Sequence, residues 1–562
     1  MKLQHTDSRA LLAGVTSLGF LFALFLTECV CFAVNIRSGG WVLPVAFVLS
    51  AGLCLAAGGL RRCSYVALAV SAAVGLVSAV LCMLLYDTAF DSVGYHYNTV
   101  VMIDRGWNPF SQYAWNDSVW SMHYAKALEL MQAAVLSFTG NLQTVRCVNL
   151  IFTFSAAAIV WHALGLCMPA TQPKWRLAVL LVALCNPVLT GQLFSALNDY
   201  ALWLETLILA SSFIIMWQRP LSRLPYLIVF VIVAIAINTK FTHGFYIGLE
   251  CLFFAVWCLL YGRRDTLLRG SLTVIAALVA GLCLLGYNPY VINTLEYGSI
   301  VYPLGGASAD IDIMTGNTPA MYVGGNRFGN FFKSLLSVGD TSWALLNGGV
   351  TPGSLARAYS SDMRVNGFGI FMVPMLALGL ALMVMSRARL RWWALYVYVL
   401  AMAFCFEQSW WARYIPFLWL LTMLPPVLAL RRPFIRRRAV RAVALALTAC
   451  ALLNGAASLA ASLYPRLSYT LFMDYVFSRG RTVEVTPLTY GLRQQFEERG
   501  VAYDECLRVD SIPAGAEGYY QIFGLDHGME HVMRLPKKDF PELYNPENLT
   551  VYRLGRAEQR RY

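Results

Sequence analysis

Charged residues are scarce in this sequence. Only 13% of its 562 residues are Asp, Glu, Lys or Arg, which is about half the share typical of a water-soluble protein, and 58% are hydrophobic. This composition favours a membrane protein over a water-soluble one. The net charge of +12 does not indicate a nucleic-acid partner, because the basic residues lie in short links between apolar runs, as in the cytoplasmic loops of membrane proteins.

Several motifs that would identify a catalytic or metal-binding class are absent. The sequence has no P-loop, no GxSxG, no HExxH and no CxxC zinc pattern. Of the 14 cysteines only Cys506 lies in the polar C-terminal region, so a disulfide framework within that region is excluded. No cleavable signal sequence is evident, because the first apolar run, 11–34, is long enough to span a bilayer and no small-residue cleavage site stands out.

Long apolar runs are what the sequence has in abundance. A membrane-spanning helix needs about 20 mostly apolar residues, and we expect about 13 such spans. The candidate spans cover residues 11–34, 41–60, 64–86, 146–168, 177–195, 199–217, 225–240, 243–261, 271–289, 367–386, 392–408, 413–430 and 441–463.

The basic links predict which face of the membrane each loop occupies. They all follow even-numbered spans, and the amino terminus with Lys2 and Arg9 joins them, so by the positive-inside rule this face is cytoplasmic. We therefore expect a multi-pass protein of the cell (inner or plasma) membrane. The links contain Arg61-Arg62, Lys174 and Arg176, Arg219 and Arg223, Arg263-Arg264 and Arg269, Arg387 to Arg391, and Arg431 to Arg441.

The opposite, extracytoplasmic face carries three long segments, 87–144, 288–367 and 464–562, whose lengths are typical of functional regions. We predict an all-α polytopic domain over 1–463, with outer-face surface helices, and a small α/β extracytoplasmic domain over 464–562. A helix at 118–138 is expected to lie on the membrane surface or to pack on the spans. In the C-terminal domain we predict strands at 483–485, 519–523 and 551–554 and a helix at 492–499 that ends at Gly500.

The most informative motif is Asp91-Ser-Val-Gly-Tyr95-His96, beyond the third apolar run. Carboxylates at a membrane boundary are costly to bury and usually face water, a cavity or a partner. If the segment is helical, Asp87, Asp91 and Tyr95 share one face. Asp91 is the candidate general base, and Asp87, Tyr95 and His96 are candidate substrate-binding residues. The alternative is that Asp91 caps a helix or is a solvated boundary residue.

Two further polar elements interrupt the apolar runs. Asp199, after Asn198, is either a first-turn residue favoured by the helix dipole or a polar group that faces the same outer cavity. Lys240 and His243 divide a long apolar stretch. Such cations either snorkel to the interface or bind an anion, for which the phosphate of a lipid carrier is the natural candidate.

Arg413 lies in an outer turn, where its guanidinium could hold phosphate through two parallel hydrogen bonds. The neighbouring Trp410 and Trp411 fit an aromatic interface belt, which is the default interpretation, or a platform for a sugar. Asp310-Ile-Asp312 is similar to the metal-chelating Asp-x-Asp of sugar-nucleotide enzymes, so a divalent metal is an option, although two carboxylates at this spacing are common by chance.

Together, these motifs resemble those of the multi-pass, lipid-carrier-dependent glycosyltransferases of the GT-C superfamily. The resemblance is to the dolichyl-phosphate-mannose mannosyltransferase and lipid A arabinosyltransferase-like branch. It extends over about 400 residues and does not include the C-terminal domain. The matching elements are Asp91-Ser-Val-Gly-Tyr-His96, Asn198-Asp199, Thr239-Lys240, Tyr297-Gly-Ser-Ile-Val-Tyr-Pro303 and Ala412-Arg413-Tyr414.

The resemblance implies a glycosyltransferase that takes a sugar from a polyprenyl-phosphate donor and transfers it to a lipid, glycan or protein acceptor on the extracytoplasmic face. It also implies that Asp91 is the catalytic base and that Lys240 and Arg413 hold the carrier phosphate. A transporter or flippase of lipid-linked sugars is the alternative. Transporters usually contain paired repeats, and the sequence shows no second copy of the Asp91 motif.

Overall fold

The computed structural model describes residues 5–116, 118–169, 171–305, 318, 322–336, 359, 367–431, 433–478, 480, 482–508, 519–523 and 531–534. The first fourteen helices are α1 His5–Ala33, α2 Val42–Gly58, α3 Arg62–Met83, α4 Tyr97–Asp104, α5 Val119–His123, α6 Ala127–Thr139, α7 Cys147–Cys167, α8 Pro173–Leu184, α9 Pro187–Gln192, α10 Asp199–Gln218, α11 Leu224–Thr239, α12 Phe241–Leu260, α13 Arg264–Val279 and α14 Ile292–Tyr297. They are followed by α15 Arg327–Leu336, α16 Met372–Met385, α17 Leu390–Ala403, α18 Leu420–Ala429, α19 Arg438–Ser478 and α20 Tyr490–Glu498.

Seven helical segments in the described chain are long and apolar enough to cross a membrane. Each coincides with a predicted span, and five more predicted spans fall on apolar helices of 10–17 residues. The predicted span 177–195 is divided, because α8 ends before Asn186 and Pro187 begins α9. The structure therefore confirms a helical architecture with membrane-length apolar segments, whereas the count of about 13 spans and the assignment of faces stay predictions.

The helices form an inner and an outer layer. Helix α1 is largely buried and packs against α2, α3 and α7, and α10 lies between α7 and α11. Gly14 allows α1 to approach α7 closely, since a Cβ there would lie 3.0 Å from the backbone oxygen of Ser155, whose hydroxyl donates to the Gly14 carbonyl. The long helices α3, α12 and α13 instead expose most of their apolar surface, as expected of helices that face lipid.

The first outer segment packs into the bundle. The single helix predicted at 118–138 is wrong in extent, because the chain is extended at Tyr124 and forms two helices, α5 and α6. Of the two predicted placements, packing on the spans is confirmed. Helix α6 is buried from Ala127 to Leu136 and contacts α1, α2 and α4.

The C-terminal region contains the predicted strand β1 (Val483–Val485) and helix α20, which ends before Gly500 in a left-handed conformation. β1 pairs in parallel with β2 (Tyr503–Asp504) and antiparallel with β4 (His531–Arg534), which pairs with the predicted β3 (Tyr519–Phe523). The sequence pattern missed β2 and β4, which are short. Helix α19 continues past the predicted span end to Ser478, and the predicted strand 551–554 lies outside the described residues.

Candidate active site

Asp91 lies at the start of the helical segment that follows α3. Helix α3 ends at Met83, the next helical residue is Phe90, and a π-helical turn over Ser92–His96 leads into α4. The predicted shared face of Asp87, Asp91 and Tyr95 is therefore wrong, because Asp87 precedes the helix. The two aspartates turn to different partners, and only Asp91 joins the cluster described next.

Arg413 connects the carboxylates of two distant segments. It lies in the short 3₁₀ turn Ala412–Tyr414, before the helical turn that leads into α18. Its Nη2 lies 2.7 Å from Oδ2 of Asp91, and its Nε lies 3.0 Å from Oδ2 of Asp199. The guanidinium also lies 5.0 Å from the ring centre of Trp411. A planar guanidinium with donors on two edges suits such a bridge.

Asp199, the first residue of α10, is held by a second cation. Lys240 Nζ lies 2.5 Å from Oδ1 of Asp199 and 5.0 Å from the ring centre of Tyr414. Both side chains are buried, so Lys240 does not snorkel to the interface. Asn198 fixes the geometry, because its side-chain amide donates to the carbonyl of Thr239 and thereby ties the start of α10 to the end of α11.

These four residues, Asp91, Asp199, Lys240 and Arg413, are called the Asp91 cluster. Two negative and two positive side chains make it formally neutral. Asp91 is its most accessible member, with 16% of its side chain exposed against 1–7% for the other three. The cluster therefore presents one compensated but reachable carboxylate.

Tyrosines surround the Asp91 cluster. Burial, and then the nearby Asp91 carboxylate, raises the pKa of Tyr95 well above its ordinary value. Burial, and then Tyr414 and Asp199, does the same for the pKa of Tyr124. Both hydroxyls consequently stay protonated and can donate hydrogen bonds. Aromatic walls with a few polar groups are typical of small-molecule sites.

Asp87 is part of a separate, closed group. Its carboxylate lies 2.9 Å from Nη2 of Arg466 and accepts hydrogen bonds from the backbone N–H groups of Ala89 and Ala196. Arg146 lies in the same buried environment and donates to the carbonyls of Cys82, Leu85, Gln143 and Phe194. We call Asp87, Arg146 and Arg466 the Asp87 cluster. These contacts hold Asp87 within the protein, and its role as a substrate-binding residue stays a prediction.

The two predicted histidines have buried carboxylate partners. His96 Nδ1 lies 2.6 Å from Glu129 of α6, and His243 Nδ1 lies 2.9 Å from Glu205 of α10. Both histidines are buried. The sequence pattern missed Glu129 and Glu205, which lie within apolar helices, because nothing in the sequence indicated their partners.

The tryptophan pair is also buried. Trp410 and Trp411 stack with ring centres 5.4 Å apart, and Trp410 stacks on Tyr322. The preferred interface-belt interpretation does not agree with this packing, because both indoles are almost fully shielded. Trp411 also lies against Arg413 of the Asp91 cluster. Gln192 is a further missed residue, whose amide donates to Asp199 over 3.1 Å.

A metal site is not assembled in the described residues, where no three His, Cys, Asp or Glu side chains come together in a suitable arrangement. Asp310 and Asp312 lie outside the described residues. At the Asp91 cluster the carboxylates already face Arg413 and Lys240, and a divalent cation would have to compete with these fixed charges. The donor set therefore fits an anionic or neutral ligand better than a metal.

Comparison of the sequence with models of protein families and with curated proteins finds no match.

Proposed function

We propose that the protein is an integral-membrane glycosyltransferase that moves a sugar from a polyprenyl-phosphate donor to an acceptor on the extracytoplasmic face. The observation that supports this proposal is the convergence of Asp91, Asp199, Lys240 and Arg413, which come from four separate segments. The sequence predicts Asp91 as the base, Lys240 and Arg413 as phosphate ligands and Asp199 as a polar group of the outer cavity. Charged groups among membrane helices are costly to bury, and they are usually retained because they have a function.

Asp91 is the proposed general base. Its carboxylate takes the proton of the acceptor hydroxyl, the acceptor oxygen forms a bond to the anomeric carbon, and the bond from that carbon to the phosphate oxygen breaks. The leaving polyprenyl phosphate keeps the electron pair. Arg413 positions Asp91 through the 2.7 Å contact and compensates its charge, and the partial exposure of Asp91 lets an acceptor reach it.

Lys240 is the better candidate for the carrier phosphate. Within the described chain its ammonium makes one hydrogen bond, to Asp199, although an ammonium has three donors. Arg413 already engages two carboxylates, so its proposed role moves from phosphate ligand to bridge. The phosphate would add negative charge to a neutral cluster, and Lys240 supplies the donors for it.

The test uses purified protein in lipid nanodiscs, a polyprenyl-phosphate sugar fraction and extracted cell-envelope glycans and lipids. Transfer is followed by mass spectrometry, with and without EDTA. We expect an acceptor mass increased by one sugar, with loss of the product in Asp91→Asn. The absence of any transferred sugar across the donor fractions would overturn the proposal, and loss of transfer with EDTA would indicate a required divalent metal.

A transporter or flippase is the second candidate, and buried acids within the helices favour it. Glu205 faces His243, and Glu250 of α12 lies 2.6 Å from the hydroxyl of Thr206. Chains of Asp, Glu and His inside the membrane are typical of proton relays in transporters. A fluorescent lipid-linked sugar in proteoliposomes separates the candidates, since a flippase moves the intact lipid between leaflets and a transferase releases the free carrier.

A further inference from the structure

A large cavity lies between five helices of the bundle. It has a volume of about 440 Å³ and is enclosed by α7, α10, α12, α17 and α18. One end of the cavity is lined by Phe417, four residues after Arg413. The other end is formed by the start of α17 and the end of α18. Fourteen helical residues span about 21 Å, so the cavity follows much of the length of α17.

Two arginines line the end of this cavity that is formed by the start of α17 and the end of α18. Arg391 at the start of α17 and Arg431 after α18 both lie near Trp392, with the guanidinium carbons 5.7 and 5.9 Å from its ring centre. The Cys167 thiol at the end of α7 lies beside Arg431. In the described part of the chain neither guanidinium contacts a carboxylate, and the Nε of each is buried without a hydrogen-bond partner.

Such buried donors require an explanation, because an unpaired buried N–H loses its hydrogen bond to water. A second cation beside the first adds repulsion. An anion held between Arg391 and Arg431 would remove both costs, and a phosphate group matches the fork geometry of guanidinium donors.

The rest of the cavity is apolar. Phe253, Trp257, Leu395 and Leu424 are among its walls. Glu250 is an acidic residue in the cavity wall. It lies about three helical turns before the end of α12, away from the arginines, and accepts a hydrogen bond from the hydroxyl of Thr206. The arginine end of the cavity suits a phosphate group, and the apolar remainder suits a hydrocarbon chain. A phospholipid contains both.

We propose that this cavity binds an anionic phospholipid, with its phosphate between Arg391 and Arg431 and an acyl chain along α17. Both arginines lie on the face that the charge pattern predicts to be cytoplasmic. Basic pockets between membrane helices on that side bind acidic lipid head groups. The site is separate from the Asp91 cluster, so the proposal goes beyond the glycosyltransferase assignment and does not depend on it.

The test is native mass spectrometry of the full-length protein in detergent, with phosphatidylglycerol or phosphatidylcholine added at equal ratio. We expect selective retention of phosphatidylglycerol. The double variant Arg391→Gln, Arg431→Gln should weaken this retention about tenfold or more, because two charge-assisted contacts are lost. The matched control, Arg389→Gln with Arg436→Gln, removes the same charge from two exposed positions at this end and should retain the lipid.

A second variant addresses the acyl chain. Ala210→Phe fills the cavity without a change of charge, and it should reduce phosphatidylglycerol retention while thermal melting shows that the protein remains folded. Equal retention of both lipids, or equal loss in the control double variant, would overturn the proposal. So would preferential, Arg391-dependent retention of a short polyprenyl phosphate, which would make the carrier the occupant.

Discussion

The Asp91 and Asp87 clusters each pair an aspartate with an arginine, the two aspartates lie four residues apart in the sequence, and they differ in how far the carboxylate is exposed. Asp87 has no exposed side-chain surface, and Arg466 and backbone N–H groups occupy its carboxylate. Asp91 is 16% exposed, and its Oδ2 lies 2.7 Å from Nη2 of Arg413. A buried ion pair is therefore not in itself a sign of function, whereas one that is charge-balanced and still reachable is a better candidate.

The second difference is what surrounds each pair. Backbone carbonyls accept hydrogen bonds from both Arg146 and Arg466, and Nη2 of Arg466 also donates to Asp87. The Asp91 cluster instead has tyrosine side chains around it, among them Tyr95 and Tyr124. Substitutions should therefore affect stability in the first cluster and transfer in the second.

The sharpest test of this difference is Asp91→Asn. We expect transfer to fall about 100- to 10,000-fold, as is typical when a general base is lost, with thermal stability close to that of the unmodified protein. Turnover is measured on the lipid donor, and melting is followed in the same detergent. Turnover near the unmodified level would remove Asp91 from the mechanism.

The converse test is Arg466→Met. This substitution removes the direct ion-pair partner of the buried Asp87 carboxylate, and breaking such a pair typically costs about 3–5 kcal/mol. We expect a large loss of thermal stability or of folded yield. A double variant, Arg466→Met with Asp87→Asn, should recover part of the loss, because the uncompensated charge is gone. Normal stability with reduced transfer would instead place Asp87 in the active site.

Arg413 tests the bridge within the Asp91 cluster. Arg413→Ala should lower transfer about ten- to a hundredfold, since charge-assisted hydrogen bonds are worth about 1.5–3 kcal/mol each. Arg413→Lys should rescue only in part, because an ammonium cannot contact Asp91 and Asp199 through two edges of a planar group.

The kinetic parameters distinguish the roles of the two cations. If Arg413 positions the base, its variants should mainly lower kcat, whereas Lys240→Ala should mainly raise KM for the lipid donor. Full rescue by lysine at position 413 would contradict the bridge and make Arg413 a simple anchor.

The sequence predicted the helical architecture because long apolar runs have one main solution in a membrane. It also selected all four members of the Asp91 cluster, since charge is costly among apolar residues and so stands out. Their partners could not be predicted. The contacts Asp91–Arg413 and Asp87–Arg466 join residues more than 300 positions apart, and the helix start at Phe90 separates two aspartates whose spacing had indicated a shared face.

The smallest expected effect concerns the support of the Asp87 cluster by the C-terminal region. Glu498 of α20 accepts a hydrogen bond from the backbone N–H of Leu142, 2.8 Å away, at the start of the turn that contains Gln143 and Arg146. Burial raises the pKa of Glu498 from 4.5 to about 7. Between these values the folded state holds a proton that the unfolded state has released. The contribution of Glu498 to stability is therefore greatest below pH 4.5 and is lost as the pH rises through 7.

Glu498→Gln keeps the acceptor and removes the charge, so it isolates this contribution. At pH 4 the variant and the unmodified protein should melt at similar temperatures, because Glu498 is then mostly neutral in both the folded and the unfolded state. At pH 8 the variant should be the more stable, because the unmodified protein then holds a partly buried carboxylate. Transfer at the Asp91 cluster should change little at either pH. A variant that is less stable at pH 8 would mean that the Glu498 charge stabilises the contact with Leu142, and the proposed cause of the pKa shift would be wrong.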